Sequence, residues 1–391
     1  MELKPGYKQT EVGVIPEDWE VKQLGTFTDC TSGGTPSTLI SSYWGGKIPW
    51  MSSGELHLKR VKNVEGRITD LGLNNSSTKI IPKNCILIGL AGQGKTRGTV
   101  AINSIELCTN QSVAAIFPRS SFDSEYLFHN LDARYDELRE LSSGDGGRGG
   151  LNLTILKGLQ IPFPSIEEQT AIATVLSDMD ALLDSLDRLI AKKRDIKQAA
   201  MQELLTGKKR LPGFDGEWEV KRLGDVLTIC HGKNQRNVEV VGGAYPILAT
   251  GGQIGTTNYF LYDKPSVLIG RKGTIDRPQY IATPFWTVDT LFYSVIKDKN
   301  SAKFLYYRFN LVHWMLYNEA SGVPSLNART IENIEFAIPK SIEQTAIAKV
   351  LSDMDAEIEA LEERRTKTQN IKQGMMQELL TGKTRLIAQE G

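Results

Sequence analysis

One stretch of 44 residues, Glu168 to Leu211, occurs twice in this chain. The second copy runs from Glu343 to Leu386, aligns without a gap and is identical at about 28 positions. The displacement of 175 residues lies far beyond solenoid periods of roughly 20–50 residues, so each repeating unit is the size of a domain. Both copies read as long helices. Ile172, Leu176, Met179, Leu183, Leu186 and Ile190 recur at alternating steps of four and three, as do Ile347, Leu351, Met354, Ile358 and Leu361. That spacing is a coiled-coil seam. Ser165 with Glu168, and Ser341 with Gln344, have the spacing of capping boxes. Gly207 and Gly382 follow the last turns and suit left-handed backbone there. The seam meets Lys193 in the first copy and Arg365 and Thr368 in the second, where a bend or change of register is expected. A helix of about 40 residues is roughly 60 Å long. One small core cannot bury that length, so the partner is the other copy, another chain, or both.

The rest of the chain must supply what the helices hold apart. At 391 residues two or three domains fit. Trp19-Glu-Val-Lys-Gln-Leu-Gly25 returns as Trp218-Glu-Val-Lys-Arg-Leu-Gly224, so the duplication includes the start of each globular segment. Between these landmarks the two halves keep the same order of elements but diverge in sequence. Ile80–Gly89, Gly98–Ile102 and Val113–Phe117 read as strands, Ser124–Leu141 as helix, and Ser142–Gly150 as a glycine-rich loop. In the second half Val267–Gly270 matches Ile86–Gly89, Thr287–Thr290 falls near Thr109–Ser112, and Phe304–Leu316 is the helix. The expected class is α+β: two mixed α/β domains joined by two long antiparallel helices, with pseudo-twofold symmetry. The expected boundaries are 1–164 for the first domain, 165–207 for the first helix, 208–340 for the second domain, 341–386 for the second helix and 387–391 for a tail. Similar helices joined to dissimilar globular parts imply one shared task and two different targets.

Charge and composition exclude several functions and leave one open. No apolar run approaches the ~20 residues of a membrane span, and the polar opening lacks a signal-peptide core. Cys30, Cys85, Cys108 and Cys230 show no CxxC spacing, which fits a reducing, cytoplasmic setting and argues against zinc. The net charge is zero, with 46 basic and 46 acidic side chains, yet the charge is unevenly spread. From Lys47 to Arg119 ten basic residues face four acidic ones, and from Lys221 to Arg308 twelve face six. Such local surplus suits a polyanion, although solvated surface lysines give the same count.

Gly89-Leu-Ala-Gly-Gln-Gly-Lys95-Thr96 fits the phosphate-cradling P-loop pattern and follows a strand. A P-loop must run into a helix whose N-terminus faces the phosphates. Here Arg97-Gly-Thr-Val-Ala-Ile102 follows, which reads as a strand, so the stretch is expected to be a glycine hairpin loop. A nucleotide-hydrolysing protein carrying a coiled coil is the competing reading. Gln93, Lys95, Thr96 and Arg97 on such a loop suit a DNA groove, with Arg271, Lys272, Thr274 and Arg277 as second-half counterparts. The other DNA-contact candidates are Lys47, Trp50, Ser52, Ser53, Gln111 and Arg148 in the first half, and Lys233, Asn234, Gln235 and Arg236 in the second. Trp44, Trp50, Trp286 and Trp314 read as core, with Trp50 or Trp286 also suited to stacking on a displaced base. His57, His129, His231 and His313 lack metal-ligand spacing. Asp178 with Asp180, and Asp353 with Asp355, cannot share a helix face at a separation of two, so they read as surface or interface charges. No catalytic or metal-binding constellation is found.

The chain resembles the specificity subunits of type I restriction–modification systems. The resemblance rests on SGGTPSTLISSYWGGKIPWMSSGEL, GQGKTRGTVAI, and the doubled EQTAIA, LSDMDA and QELLTGK segments, and it extends over essentially the whole length. It implies that each globular segment is a target recognition domain reading one half of a split DNA site. The helices would be a spacer, at most about 17 base pairs long at 3.4 Å per pair, and a docking surface. Implied partners are double-stranded DNA, two modification subunits and two restriction subunits, with no membrane. S-adenosylmethionine, ATP and magnesium would be used by those partners, with no cofactor in this chain. The chain would not be an enzyme by itself, but part of an endonuclease and adenine-N6 methyltransferase assembly, or of a methylation-only complex.

Overall fold

Alternating short apolar runs and glycine turns give small twisted sheets, and the two heptad stretches give helices that the sheets pack against. The structure, a computed structural model, describes residues 4–92, 94–141 and 150–387. It divides into two compact units that are not consecutive blocks of chain. Unit 1 is Met1–Ser185 with Arg365–Gly391, and unit 2 is Leu186–Arg364. The long helices, Ile166–Leu204 and Ser341–Leu379, each contribute one half to each unit. The fold is α+β.

In unit 1 a five-stranded sheet has the order Cys30–Ser32, Val113–Ile116, Ile86–Gly89, Val100–Asn103, Arg60–Val61. A three-stranded sheet places Trp44–Met51 between Cys108–Thr109 and Arg67–Ile68. All four residues of Ile86–Gly89 are buried, as continuous apolar strands covered on both faces must be. In unit 2 a four-stranded antiparallel sheet runs Leu227–His231, Leu291–Ile296, Ser266–Gly270, Gln279–Ile281. Its three-stranded companion pairs Tyr245–Ala249 in parallel with Trp286–Thr287, as Trp44–Met51 pairs with Cys108–Thr109 in unit 1. In both units the chain enters and leaves the globular part as an antiparallel ribbon: Glu20–Gln23 with Gln160–Phe163, and Glu219–Arg222 with Glu335–Ile338.

Within each unit the two helix halves pair antiparallel. Ile172 and Leu176 join Leu379, Leu380, Trp19 and Tyr126 in one apolar cluster of unit 1. Ile347 and Leu351 join Met201, Leu204 and Leu205 in unit 2. Leu183, Leu186, Ile190 and Ile358 are also buried, while Met179, Met354 and Leu361 are half-buried. Each fully buried Leu or Ile contributes about 1.5–3 kcal/mol, against at most about 1 kcal/mol for an exposed ion pair. The seam therefore contributes more to stability than the ion pairs beside it.

Several expectations change. Both helices run uninterrupted through Lys193, Arg365 and Thr368. The polar residues there are accommodated by pairing: Lys193 bonds Glu357 at 2.6 Å and Lys197 bonds Asp355. The two capping boxes do not form. Ser165 Oγ accepts from Glu168 N at 3.3 Å, but the Glu168 carboxylate is drawn to Trp19 and Arg385 instead. Gln344 turns to Ser301 N and Pro339 O, and Ser341 is already helical. The expected helix over Ser124–Leu141 is two helices, Ser124–Ala133 and Tyr135–Leu141. The one over Phe304–Leu316 is Ala302–Phe309 followed by a short turn of tighter helix. Gly207 and Gly382 take left-handed backbone, with φ of 74° and 67°.

Candidate nucleic-acid interface

The repeated residues build one joint twice. In unit 1 the Glu168 carboxylate, 2% exposed, receives two bonds from Arg385 at 2.5 and 2.7 Å and one from the Trp19 indole at 2.9 Å. In unit 2 Glu343 receives two bonds from Arg210 at 2.6 Å and one from Trp218 at 3.3 Å. Gln169 accepts from Asp123 N, the cap of the Ser124–Ala133 helix, and Gln344 accepts from Ser301 N, the matching cap of the Ala302–Phe309 helix, each at 2.9 Å. Asp180 pairs with Lys372, and Asp355 with Lys197, across the helix pair. The globular parts then reach the same helix positions: Arg60 bonds Asp180 at 3.1 Å, and Tyr307 bonds Asp355 at 2.6 Å. The aspartates are thus interface charges.

A second frame also recurs, at one end of each main sheet. It is a four-residue connector, Thr109–Ser112 in unit 1 and Thr287–Thr290 in unit 2. Gly34 N donates to Thr109 O, and Lys233 N to Thr287 O, each at 2.8 Å. Leu90 N donates to Ser112 O, and Arg271 N to Thr290 O, again at 2.8 Å. Asn110 N reaches Met51 O as Val288 N reaches Leu248 O, each at 3.0 Å. Gly89 and Gly270 end the strands beside the connector. A Cβ at Gly89 would lie 2.2 Å from Thr96 O, and one at Gly270 would lie 2.0 Å from Thr274 O, so only glycine lets the hairpin loop fold back this closely.

The connectors gather many of the candidate residues. In unit 1 Gln111 accepts from the Thr35 hydroxyl at 2.5 Å, and Asn110 donates to Ser53 Oγ at 3.5 Å. Ser52 is committed to Glu55. Trp50 donates its indole N–H to Gly34 O at 3.0 Å and meets Trp44 edge-on at 5.0 Å. It is a strut of the frame rather than a free stacking platform. Trp286 is the same, bonded to Lys233 O at 2.8 Å. Lys47 is exposed on the strand before Trp50. In unit 2 Lys233, Asn234 and Arg236 are exposed, and the Asn234 carboxamide caps Arg236 N. Arg271 turns back to Asp289 O at 2.7 Å, while Lys272 and Arg277 remain exposed and Thr274 is half-buried.

The glycine loop of unit 1 joins two antiparallel strands, Ile86–Gly89 and Val100–Asn103, and no helix follows it. It is a hairpin loop, not a phosphate cradle. Arg139 bonds Gly94 O at 2.5 Å and Tyr135 OH bonds Lys95 O at 3.2 Å, which fixes the loop backbone. Lys95 is exposed, Thr96 half-buried, and Arg97 half-buried with its Nε enclosed. Gln93 and Arg148 lie outside the described residues. Thr35, Asn110 and Asp289, which are not among the contact candidates, lie on or against the connectors. Asn110 and Asp289 are legible in the sequence only through the matching positions of Thr109–Ser112 and Thr287–Thr290, and Thr35 lies outside both.

Part of the basic surplus is spent internally. Lys59 pairs with Asp132, Arg60 with Glu125 and Asp180, and Arg67 with backbone carbonyls of its own turn. The histidines are structural or exposed. His129 is fully buried against Ser177, and burial holds its imidazole neutral, with a pKa lowered to about 3. Burial pushes the Cys85 and Cys108 thiols up, to about 12 and about 11, and all four cysteines are free. Among the described residues no group of three or more His, Cys, Asp or Glu side chains could hold a metal ion. No described helix is long and apolar enough to cross a membrane.

The geometry agrees with what the chain is similar to. The family model for the type I restriction modification DNA specificity domain matches twice, over residues 16–193 and 215–373. The type I restriction enzyme MjaIX specificity subunit of Methanocaldococcus jannaschii is 29% identical over 374 residues, covering 85% of this chain and 86% of the relative. The MjaVIII specificity subunit of the same organism is 24% identical, covering 95% and 94%. Among solved structures, the S subunit of a type I restriction–modification system from M. genitalium has a TM-score of 0.66 at 19% identity and covers 97% of this chain and 98% of its own. With both globular segments and both helices accounted for by a doubled specificity domain, the chain belongs to the family of type I restriction–modification specificity subunits.

Proposed function

We propose that each unit reads one half of a bipartite, asymmetric double-stranded DNA site. One observation carries the reading. The two units use the same joint to the helices and the same connector frame, yet present different side chains on it. Unit 1 offers Thr35, Gln111 and Lys95, whereas unit 2 offers Lys233, Asn234 and Lys272. Lysine can pair with guanine O6 and N7, and Asn or Gln with adenine N6 and N7, so unlike side chains on like frames select unlike half-sites. The exposed lysines also contribute phosphate contacts, which position the duplex without reading it.

The long helices, continuous from one unit into the other, set the separation of the half-sites. Their repeated surfaces dock two modification subunits, which use S-adenosylmethionine to methylate adenine N6. Two restriction subunits, using ATP and magnesium, complete the endonuclease, and the same surfaces serve a methylation-only complex. The test is replacement of residues 220–320 by the matching region of a relative, followed by genome-wide mapping of N6-methyladenine. One half of the methylated motif should change while the other half and the spacer length persist. A motif changed in both halves, or in neither, refutes the modular reading.

A further inference from the structure

The units differ at one matched position, Asn130 in unit 1 and Arg308 in unit 2. Each lies seven residues after the cap of its recognition-domain helix, Asp123 or Ser301. Each also follows a residue bonded to the long helix, His129 to Ser177 and Tyr307 to Ser352. Arg308 is buried. Its Nη1 donates to Leu205 O at 2.7 Å, just past the end of the first long helix, and its guanidinium lies 4.8 Å from the centre of the Phe336 ring.

The repeat makes Leu380 the counterpart of Leu205. Beside it in unit 1 is a cleft of about 810 Å³, lined by Asn130, Gln160, Pro162, Met376, Gln377 and Leu380 among others. That size is within the range of small-molecule sites, roughly 300–1,000 Å³. Asn130 is 4% exposed, and its Oδ1 has no hydrogen-bond partner. An unmatched buried acceptor of this kind costs about 1–3 kcal/mol. Among the described residues no side chain donates to Leu380 O. The carbonyl end of a helix carries partial negative charge, and Glu11 and Asp136 also line the cleft, while Asp132 there is already paired with Lys59. The basic residues there are already engaged, Arg134 with Glu137 and Lys372 with Asp180.

We propose that this cleft binds a guanidinium group from outside the chain, in the role that Arg308 fills from within unit 2. The carbonyl end of the helix accepts its N–H groups, and the Asn130 side chain forms part of the wall beside it. Met376, Leu380 and Pro162 give an apolar path for a methylene stem, the arrangement long cationic side chains favour. The group is either the side chain of an arginine on a docking protein or a free guanidino solute. The site is independent of the DNA reading, since its probes contain no nucleic acid.

Calorimetric titration of the full chain tests it, with agmatine as the free probe, a blocked arginine as the protein-like probe and a blocked lysine as control. One saturable site per chain is expected for the guanidino probes, with the lysine at least tenfold weaker. Tighter binding of the blocked arginine assigns the source to a protein, and tighter binding of agmatine assigns it to a solute. Asn130→Arg should fill the cleft from within, abolish binding and raise the melting temperature of unit 1. Arg308→Asn should open a second site, moving the stoichiometry from one to two. Should Arg308→Asn unfold unit 2, the surface variant Asp136→Asn still decides, with binding weaker by about two- to fivefold. No saturable binding, or binding unchanged in both Asn130→Arg and Asp136→Asn, overturns the proposal.

Discussion

His129 makes unit 1 acid-sensitive by an amount the structure fixes. Its ring is fully buried, 3.3 Å from Ser177 Oγ and edge-on to Phe128. Burial lowers its pKa to about 3; Lys372 and Arg60 push the same way and Asp180 opposes them. In the unfolded chain the pKa is about 6.5. Between these values the unfolded state binds the extra proton, so stability is intact above about pH 6.5 and falls as the pH drops through that window. Linkage puts the loss from this one group at about 2 kcal/mol at pH 5. His129→Leu removes the titrating group, so the variant should lose about 2 kcal/mol less than the parent between pH 7 and pH 5. Chemical unfolding of the full chain, resolved for the unit 1 transition, measures this. The His129 imidazole Cε1 proton should also hold its chemical shift across the same range. A shift titrating near pH 6.5, or an unchanged pH slope in the variant, would refute the reasoning. Unit 2 is the internal control, because Tyr307 stands at the matching position.

Other outcomes follow from the same packing. Arg385→Met leaves the Glu168 carboxylate buried without its cation and should cost unit 1 about 3 kcal/mol; Arg210→Met should cost unit 2 a similar amount, and a calorimetric trace in which either variant shifts both transitions equally would contradict the division into units. Gly89→Ala and Gly270→Ala force a Cβ onto a backbone carbonyl and should destabilise their own units by about 1–3 kcal/mol, read by the same scans. Lys95→Ala and Lys272→Ala, in the assembled complex, should each lower the slope of log affinity against log salt by about one; an unchanged slope for both removes these lysines from the DNA contact.

What the sequence made legible was local. Heptad spacing shows at once, because the residues that meet along one helix face are only three and four apart. The misleading P-loop match could also be rejected locally, since Thr99-Val-Ala-Ile102 cannot easily open a helix and forms a returning strand. Other features depended on contacts more than a hundred residues apart. Nothing near Glu168 announces that Arg385 will draw its carboxylate from the helix cap, and nothing near Asp180 announces Lys372. Trp50 suits stacking by residue type, but its indole N–H is committed to Gly34 O, a contact made only through the fold. The charge surplus between Lys47 and Arg119 overstated the polyanion surface, because Lys59, Arg60 and Arg67 turn inward. Lys79 is likewise legible only in the fold, where its ammonium reaches Thr31 Oγ1 at 3.0 Å.

The discontinuous make-up of unit 1 has a consequence for the order in which this protein is completed. Every residue of unit 2 is synthesised before Arg365, so unit 2 waits for no segment added after its own last residue. The first 185 residues of unit 1 must wait while the 179 residues from 186 to 364 are added, roughly 10–40 s at ordinary elongation rates. Throughout that interval Ile15, Trp19, Ile172 and Leu176 lack the apolar surface of Leu379 and Leu380, and Glu168 lacks Arg385. The N-terminal half of the chain is thus the last to be finished, and a nascent chain stalled before Arg365 carries one complete unit and one open core.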